Sequence, residues 1–391
     1  MKRKINKLDI ITALTYFFQG CLGLVGLAIP LYYKSLGFTV AQIATIGAIA
    51  GIAWYVKIAM GVITDNYPIF GFRRKPYVVF SAILSLIGWL VLLYVPNPTY
   101  WVLVLAGLLY TTGYCFRDVV VDAKIAEHSK KDTDAKHYQV ISMGYRALGA
   151  VITGVVGGIL IDKFGFFIIF KIMCFVQLII LSAGLFMDDV KVVIKKKVNI
   201  IKGFIEPIKE FAKDQQLRVL SLFLFLGMFS PGLGIAFLFY MKQHNISTTF
   251  LGLLGSIGSA SAVVGTLIYN KFFKQLPIKK VLYASVIIGA FSTFLIWFYY
   301  IKWFAILDTI IGGIIAMILY IPLMTLFMKL ASRTKHQGTT YAIVASISNL
   351  TGAGAGILGG YLFDKVGFLP LICISSVTTF LCFPVIKYFK E

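Results

Sequence analysis

Long apolar segments separated by short polar loops dominate the chain. Each segment provides the about 20 residues that a helix needs to cross a bilayer. We predict twelve transmembrane helices, at 8–33, 39–64, 76–95, 99–126, 138–161, 166–187, 217–241, 248–270, 281–300, 303–328, 338–363 and 367–386. The pattern therefore predicts an all-α, multi-pass membrane protein.

Positive charge follows the loops between these helices. The formal net charge of +21 could suggest nucleic acid, but most of the 37 Lys and Arg residues lie at the two ends of the chain and in every second loop. The opposite loops hold only Lys34, Lys163, Lys242, Lys302 and Lys365. The positive-inside rule therefore predicts that both termini are cytoplasmic. We expect a plasma-membrane protein that works as a monomer among membrane lipids, with no nucleic-acid partner.

Composition argues against metal, redox and enzyme chemistry. The chain has five Cys and four His, and each Cys lies singly in an apolar stretch, without the paired spacing of a disulfide framework or zinc site. No nucleophile with an adjacent base stands out at one membrane depth. We expect no cofactor and no enzymatic activity.

The two halves of the sequence resemble each other. Residues 157–166, GGILIDKFGF, match residues 359–368, GGYLFDKVGF. This repeat predicts two parallel six-helix bundles, 1–187 and 217–391, joined by a cytoplasmic linker at 188–216. Apolar residues recur at helical spacing from Ile200 to Phe211, which predicts either an amphipathic helix on the membrane surface or a plain connecting helix.

This arrangement resembles the major facilitator superfamily, in which two halves rock around a central site. Gly61 and Asp65, followed by Arg73 and Arg74, are similar to the superfamily's cytoplasmic loop signature. Gly61 would let two helices approach closely, and Asp65 would cap a helix or pair with the basic residues to hold a cytoplasmic gate. Alternatively, the basic residues only set the topology.

Ionisable residues inside the predicted helices form a layer in the N-terminal half. Lys57, Asp118 and Arg146, together with the polar Gln19, lie at a depth of roughly 12 to 17 Å from the cytoplasmic face, at 1.5 Å per residue. Asp122 lies one turn nearer that face, at the edge of the layer. The candidate substrate and proton site comprises Gln19, Lys57, Arg117, Asp118, Asp122 and Arg146. One interpretation is a static ion-pair network in which Arg146 or Lys57 holds Asp118. In the other, Arg146 and Lys57 attract an anionic substrate group while Asp118 or Asp122 takes up a proton.

Several stretches resemble the folate-biopterin transporter family within this superfamily. They are Tyr16 to Leu24, Trp54 to Lys57, Asn66 to Tyr77 and Asp118 to Ala123. The resemblance implies a secondary active transporter for a folate, pterin or similar planar organic anion that works by alternating access. Proton coupling rests on the two carboxylates alone. It also places Lys57, Asp118 and Asp122 in the transport site. Export or import of another solute, such as a drug or other organic anion, remains an alternative, as does a lipid scramblase or a non-transporting sensor.

Overall fold

A computed structural model describes residues 6–128, 132–191, 200–273, 276–331, 333–334 and 337–389. In these ranges the chain is helical, and its only β pairing consists of isolated bridges between Ile69 and Phe72 and between Phe72 and Lys191. The all-α prediction is confirmed for this part of the chain.

The helices of the first half follow the predicted segments. They are α1 (Lys7–Gly20), α2 (Leu22–Ser35), α3 (Val40–Ala50), α4 (Ile52–Tyr55), α5 (Lys57–Asn66), α6 (Lys75–Tyr94), α7 (Tyr100–His128), α8 (Asp132–Phe164) and α9 (Phe167–Phe186).

The remaining helices begin with the one in the predicted linker. They are α10 (Ile200–Lys213), α11 (Gln215–Met228), α12 (Ile235–Gln243), α13 (Thr248–Ile268), α14 (Ile278–Leu295), α15 (Lys302–Ala331), α16 (Gln337–Val366) and α17 (Phe368–Phe380). A π-helical turn, Tyr269–Phe273, extends α13, and 3-10 turns follow α14 and α17 at Ile296–Tyr300 and Phe383–Tyr388.

Ten helical stretches in the described residues are long and apolar enough to cross a membrane. They correspond to ten of the predicted segments. The segments predicted at 39–64 and 217–241 are divided into shorter helices, among them Val40–Ala50 and Gln215–Met228, so the count of twelve spans stays a prediction.

The first division separates α3, α4 and α5 at Gly51 and Val56. Breaking a helix frees backbone carbonyls, which must find partners inside the protein because lipid offers none. Helix α7 supplies these partners: the Thr111 hydroxyl donates to the Ala50 carbonyl, and the Cys115 thiol lies 3.3 Å from the Ala53 carbonyl oxygen. The division is therefore a supported feature of the fold.

The second division separates α11 from α12. It contains Pro231 and Gly232, a pair of residues that is expected to kink a helix. Proline lacks the N–H that would continue the helix. Two side chains of α17 bond the freed backbone: the Ser375 hydroxyl accepts from the Gly232 N–H at 2.9 Å, and the Thr378 hydroxyl donates to the Phe229 carbonyl at 2.9 Å.

The chain forms two compact units. One contains Met1–Tyr32 and Ile49–Asn199, and the other contains Tyr33–Ala48 and Ile200–Glu391. Within the second unit, the Asp364 carboxylate accepts a 2.9 Å hydrogen bond from the Ala41 N–H at the start of α3. The segment at 33–48 therefore packs with helices of the C-terminal half, and the six-plus-six division stays a prediction.

The backbones of helices α1 and α8 lie very close together. A Cβ on Gly20 would lie 2.1 Å from the Arg146 carbonyl oxygen, and one on Gly149 would lie 2.2 Å from the Phe17 carbonyl oxygen. Only glycine fits at these two positions without moving a helix.

The predicted linker helix is present as α10. Phe211 packs into the core of the second unit beside Leu217 and Leu220, whereas Ile205 and Ile208 are 44% and 51% exposed. Helix α10 is therefore anchored at its end and leaves apolar side chains uncovered. Its placement on the membrane surface stays a prediction, and Lys195 to Lys197 lie outside the described residues.

We expect Thr111→Val to destabilise the protein by about 1 to 3 kcal/mol, because the Ala50 carbonyl would lose its partner without a change in side-chain shape. Thr266→Val is the matched control. Both hydroxyls bond the carbonyl four residues earlier in their own helix, Gly107 for Thr111 and Ala262 for Thr266, and the Thr111 hydroxyl also reaches the Ala50 carbonyl outside its helix. Thermal unfolding of the purified protein in detergent measures both. Equal losses in the two variants would contradict a supporting role for Thr111.

Candidate functional site

One face of α7 carries a row of polar side chains. Thr111, Cys115, Asp118 and Asp122 are spaced by three or four residues, so they share one side of the helix. The first two support the broken segment, and the two carboxylates continue the same row towards the end of the helix.

Asp118 lies at the centre of the site, and its side chain is only 8% exposed. It accepts a 2.9 Å hydrogen bond from the Gln19 amide on α1 and forms an ion pair with Lys57. The Lys57 ammonium also lies 3.9 Å from the Asp122 carboxylate. The structure thus brings together four of the predicted site residues.

Lys57 reaches Asp118 because of the division of the second predicted segment. It is the first residue of α5, directly after Val56, whose backbone leaves helical geometry at φ −109° and ψ 25°. The Lys57 ammonium lies 5.8 Å from the centre of the Trp54 ring. The break therefore positions a cation beside both an acid and an aromatic face.

Tyr16 is a site residue that the sequence analysis missed. Its hydroxyl donates to the Asp122 carboxylate, whose side chain is 47% exposed. Tyr16 and Gln19 are three residues apart on α1, which would have placed them on one helix face. We call Tyr16, Gln19, Lys57, Asp118 and Asp122 the polar network.

Arg146 lies beside this network without joining it by a direct bond. Its side chain is exposed, and its charge is close enough to act on Tyr16 and Asp122. Among the described residues, no carboxylate is within ion-pair distance of Arg146. Of the two predicted partners for Asp118, Lys57 forms the ion pair. The guanidinium of Arg146 has no acidic partner among the described residues.

The structure does not bring Arg117 into the site, which corrects the prediction. This residue is 1% exposed. Its guanidinium lies 3.1 Å from the Gln177 amide oxygen on α9 and 4.6 Å from the centre of the Tyr114 ring. Although Arg117 is next to Asp118 in sequence, the helical rotation of about 100° between neighbours directs it into the packing between α7 and α9.

A second cluster surrounds Arg74, which is 4% exposed. Its guanidinium donates to Asp65 at 2.6 Å, to Glu127 at 2.7 and 2.9 Å and to Thr64 at 3.2 Å. The predicted pairing of Asp65 with a basic residue is therefore formed by Arg74. Arg73 takes no part, and its Nε is buried without a hydrogen-bond partner in the described residues.

Asp189, which the sequence analysis did not select, bonds the start of α6. It accepts from the backbone N–H groups of Arg74 and Lys75 at 2.8 and 2.9 Å and from the Lys124 ammonium at 3.1 Å. Burial alone would raise the pKa of the Asp189 carboxyl, but these donors outweigh it and hold the pKa below its ordinary value. The stabilisation is therefore present above about pH 4 and is lost as the pH falls through the lowered pKa.

Gly61 is not required for close helix packing, contrary to the prediction. A Cβ at this position would meet only Val119, at 3.8 Å, which is an ordinary van der Waals contact. The Arg74 cluster, by contrast, joins α5, α6 and α7 within the first unit. A gating role for Gly61, Asp65, Arg73 and Arg74 stays a prediction.

We expect Arg74→Gln to destabilise the protein by about 2 kcal/mol, since it removes charge-assisted hydrogen bonds to two acids. The loss is limited because the Asp65 and Glu127 side chains are 54% and 42% exposed and can be hydrated. Arg73→Gln is the neighbouring control and should leave thermal unfolding almost unchanged. The Arg74 cluster would have no stabilising role if both variants unfolded at the wild-type temperature.

Solved structures show which fold this arrangement belongs to. The nucleoside transporter NupG superposes with a TM-score of 0.74 at 15% identity, covering 98% of this chain and 99% of that one. The D-xylose-proton symporter gives a TM-score of 0.72 at 14% identity, covering 98% of both chains. The chain therefore has the fold of major facilitator transporters.

Sequence comparison identifies the family. The folate-biopterin transporter of Synechocystis sp. is 25% identical over 394 residues, covering 94% of this chain and 79% of that protein. Folate transporter 1 of Plasmodium falciparum is 24% identical over 356 residues, which cover 85% of this chain and 70% of that protein. The predicted resemblance is confirmed. Since residues 19–376 match the BT1 family, the chain belongs to this family of membrane transporters, which are not enzymes.

Proposed function

We propose that this protein transports a folate, pterin or similar planar organic anion by proton-coupled alternating access. The proposed topology has twelve membrane spans in two six-helix repeats, and both termini are cytoplasmic. The proposed location is the plasma membrane, where the protein works as a monomer. The names of its relatives support the substrate class, and the distribution of Lys and Arg supports the orientation.

The polar network beside an open cation is the observation that carries this proposal. Charged groups within membrane spans are costly unless they are paired or face water. Asp118 is paired with Lys57, whereas the Arg146 side chain is exposed. An exposed, unpaired guanidinium at this depth supports a water-accessible cavity that receives an anion.

Arg146 provides the first contact for the substrate in this proposal. A guanidinium binds a carboxylate through two parallel hydrogen bonds, which fixes its orientation as well as its charge. Trp54, beside Lys57, offers an aromatic face on which a planar ring can stack. These two features favour a planar molecule that carries a carboxylate.

Charge balance links the substrate to a proton. Within the polar network, Asp118 and Asp122 carry two negative charges, which Lys57 and the neighbouring Arg146 balance. Arg117 is outside this count, because its guanidinium is buried against Gln177 and Tyr114. An anion bound at Arg146 adds one negative charge to a region of low dielectric constant, where uncompensated charge is expensive. A proton taken up by Asp122, the more exposed carboxylate, restores neutrality. Substrate and proton would therefore enter and leave together.

The proposed gate is the Arg74 cluster on the predicted cytoplasmic side. Its partners Asp65 and Glu127 belong to α5 and α7, the helices that also carry Lys57 and the two site carboxylates. Movement of α5 relative to α7 would thus affect the gate and the site together.

We expect an inward proton gradient to stimulate folate or biopterin uptake by proteoliposomes that contain the purified protein. Asp122→Asn should reduce gradient-driven uptake at least tenfold but preserve exchange of labelled for unlabelled substrate, because exchange requires no net proton movement. Arg146→Gln should weaken both activities, since it removes the anion contact. Radiolabelled uptake and counterflow assays measure these differences.

Asp188→Asn is the matched control, because this acid pairs with Lys7 at an exposed site outside the network. It should retain wild-type uptake. Absence of both folate and biopterin uptake by folded, correctly oriented protein would reject the substrate class, and a screen of other organic anions and drugs would follow. Gradient-driven uptake that survives in Asp122→Asn would reject its role in coupling.

A further inference from the structure

A groove in the first unit has no part in the proposed transport site. It encloses about 660 Å³ between the start of α6, the loop before it and the segment that follows α9. Its lining is mainly apolar and includes Phe70, Phe72, Pro76, Val79, Ile83 and Leu185. Lysine and aspartate side chains lie at one end of the groove, so it combines an apolar channel with a polar end.

The apolar part of the groove continues into the outward surface of α6. Phe80, Ile83, Ile87 and Leu90 are 42%, 44%, 45% and 37% exposed and lie at helical spacing along one side. An uncovered apolar stripe on a membrane-spanning helix is the surface that contacts lipid chains. Leu185 on α9, 53% exposed, forms the opposite wall. The groove is therefore continuous with the lipid-facing surface.

Phe70 lies at the tip of the loop beside the groove and is 87% exposed. Its φ of +52° is in the left-handed region, which is strained for a residue other than glycine. The backbone bridges between Ile69 and Phe72 and between Phe72 and Lys191 hold the loop in this shape. The chain thus maintains a strained backbone that presents an aromatic ring outward at the predicted cytoplasmic surface of the membrane.

The charges at the polar end leave two cations uncompensated. Asp188 pairs with Lys7 at 2.7 Å, and Asp189 pairs with Lys124 at 3.1 Å. Lys75 lines the groove. Lys191 lies just outside the lining, with its ammonium 5.7 Å from the centre of the ring of Phe72, which is a lining residue. In the described part of the chain neither of these two lysines has a carboxylate within ion-pair distance.

We infer that this groove binds one anionic phospholipid of the cytoplasmic leaflet. An acyl chain lies in the apolar channel between α6 and α9, and the headgroup phosphate lies between the ammonium groups of Lys75 and Lys191. Phe70 inserts at the level of the headgroups, where aromatic rings are favoured. The site takes a lipid and not a soluble anion, because its apolar part opens along the membrane-facing side of α6. This inference is independent of the transported substrate.

The experiment compares binding of phosphatidylglycerol and phosphatidylcholine to the purified full-length protein by native mass spectrometry in detergent. We expect retention of one phosphatidylglycerol at concentrations where phosphatidylcholine is lost. Lys75→Gln and Lys191→Gln should each weaken phosphatidylglycerol binding about fivefold, the effect of one basic residue near an anionic membrane surface. Ile83→Trp should weaken the binding of both lipids by filling the groove while keeping both cations.

Lys171→Gln is the matched control, because Lys171 is an exposed lysine on the membrane-spanning part of α9, towards its other end. It should bind phosphatidylglycerol like the wild type. Equal retention of the two lipids by the wild type would overturn the inference, as would equal weakening by Lys171→Gln. Inorganic phosphate that displaced the lipid at millimolar concentration would show a soluble-anion site instead. Thermal unfolding in phosphatidylcholine checks that every variant is folded.

Discussion

Helix α7 must satisfy the backbone groups that the broken second segment exposes, and the rest of the site depends on this. Thr111 and Cys115 bond the carbonyls of Ala50 and Ala53, and the next residue on the same face, Asp118, holds Lys57 at the start of α5. Without the first two contacts the break would be expensive in lipid. Without the break, Lys57 would belong to a continuous helix and would not begin a new one opposite the acid.

The same helix extends from the polar network to the predicted cytoplasmic side. Beyond Asp122, Lys124 pairs with Asp189 and Glu127 pairs with Arg74. Asp122 and Glu127 are separated by about 7.5 Å along the helix axis, at 1.5 Å per residue. A helix transmits displacement over this distance without bending. The network and the Arg74 cluster are therefore mechanically joined through α7, even though they share no hydrogen bond.

Hydrophobic pattern and helical rise were sufficient to predict much of this arrangement. Apolar length located the helices, and equal depth brought Gln19, Lys57 and Asp118 together before their contacts were known. Rotation about a helix axis was harder to predict, because composition does not show which neighbour of Asp118 faces the site. Arg117 was misplaced for this reason. The breaks at Gly51 and Val56 depend on hydroxyl and thiol partners from α7, and the capping of α6 depends on Asp189, far along the chain. Such partners cannot be found from local sequence.

The contact between Gly20 and the Arg146 carbonyl, with its counterpart between Gly149 and Phe17, has a consequence for how the first unit can move. Backbones that touch leave no flexible side chains between them to absorb sliding. We therefore expect helices α1 and α8 to shift together as a pair. The backbone positions of Tyr16 and Gln19 on one helix thus keep their spacing from that of Arg146 on the other, while the long, exposed Arg146 side chain can still turn about its own bonds. The pair of helices α1 and α8 acts as a fixed backbone frame, and α5 and α7 of the same unit are the elements left to adjust around it.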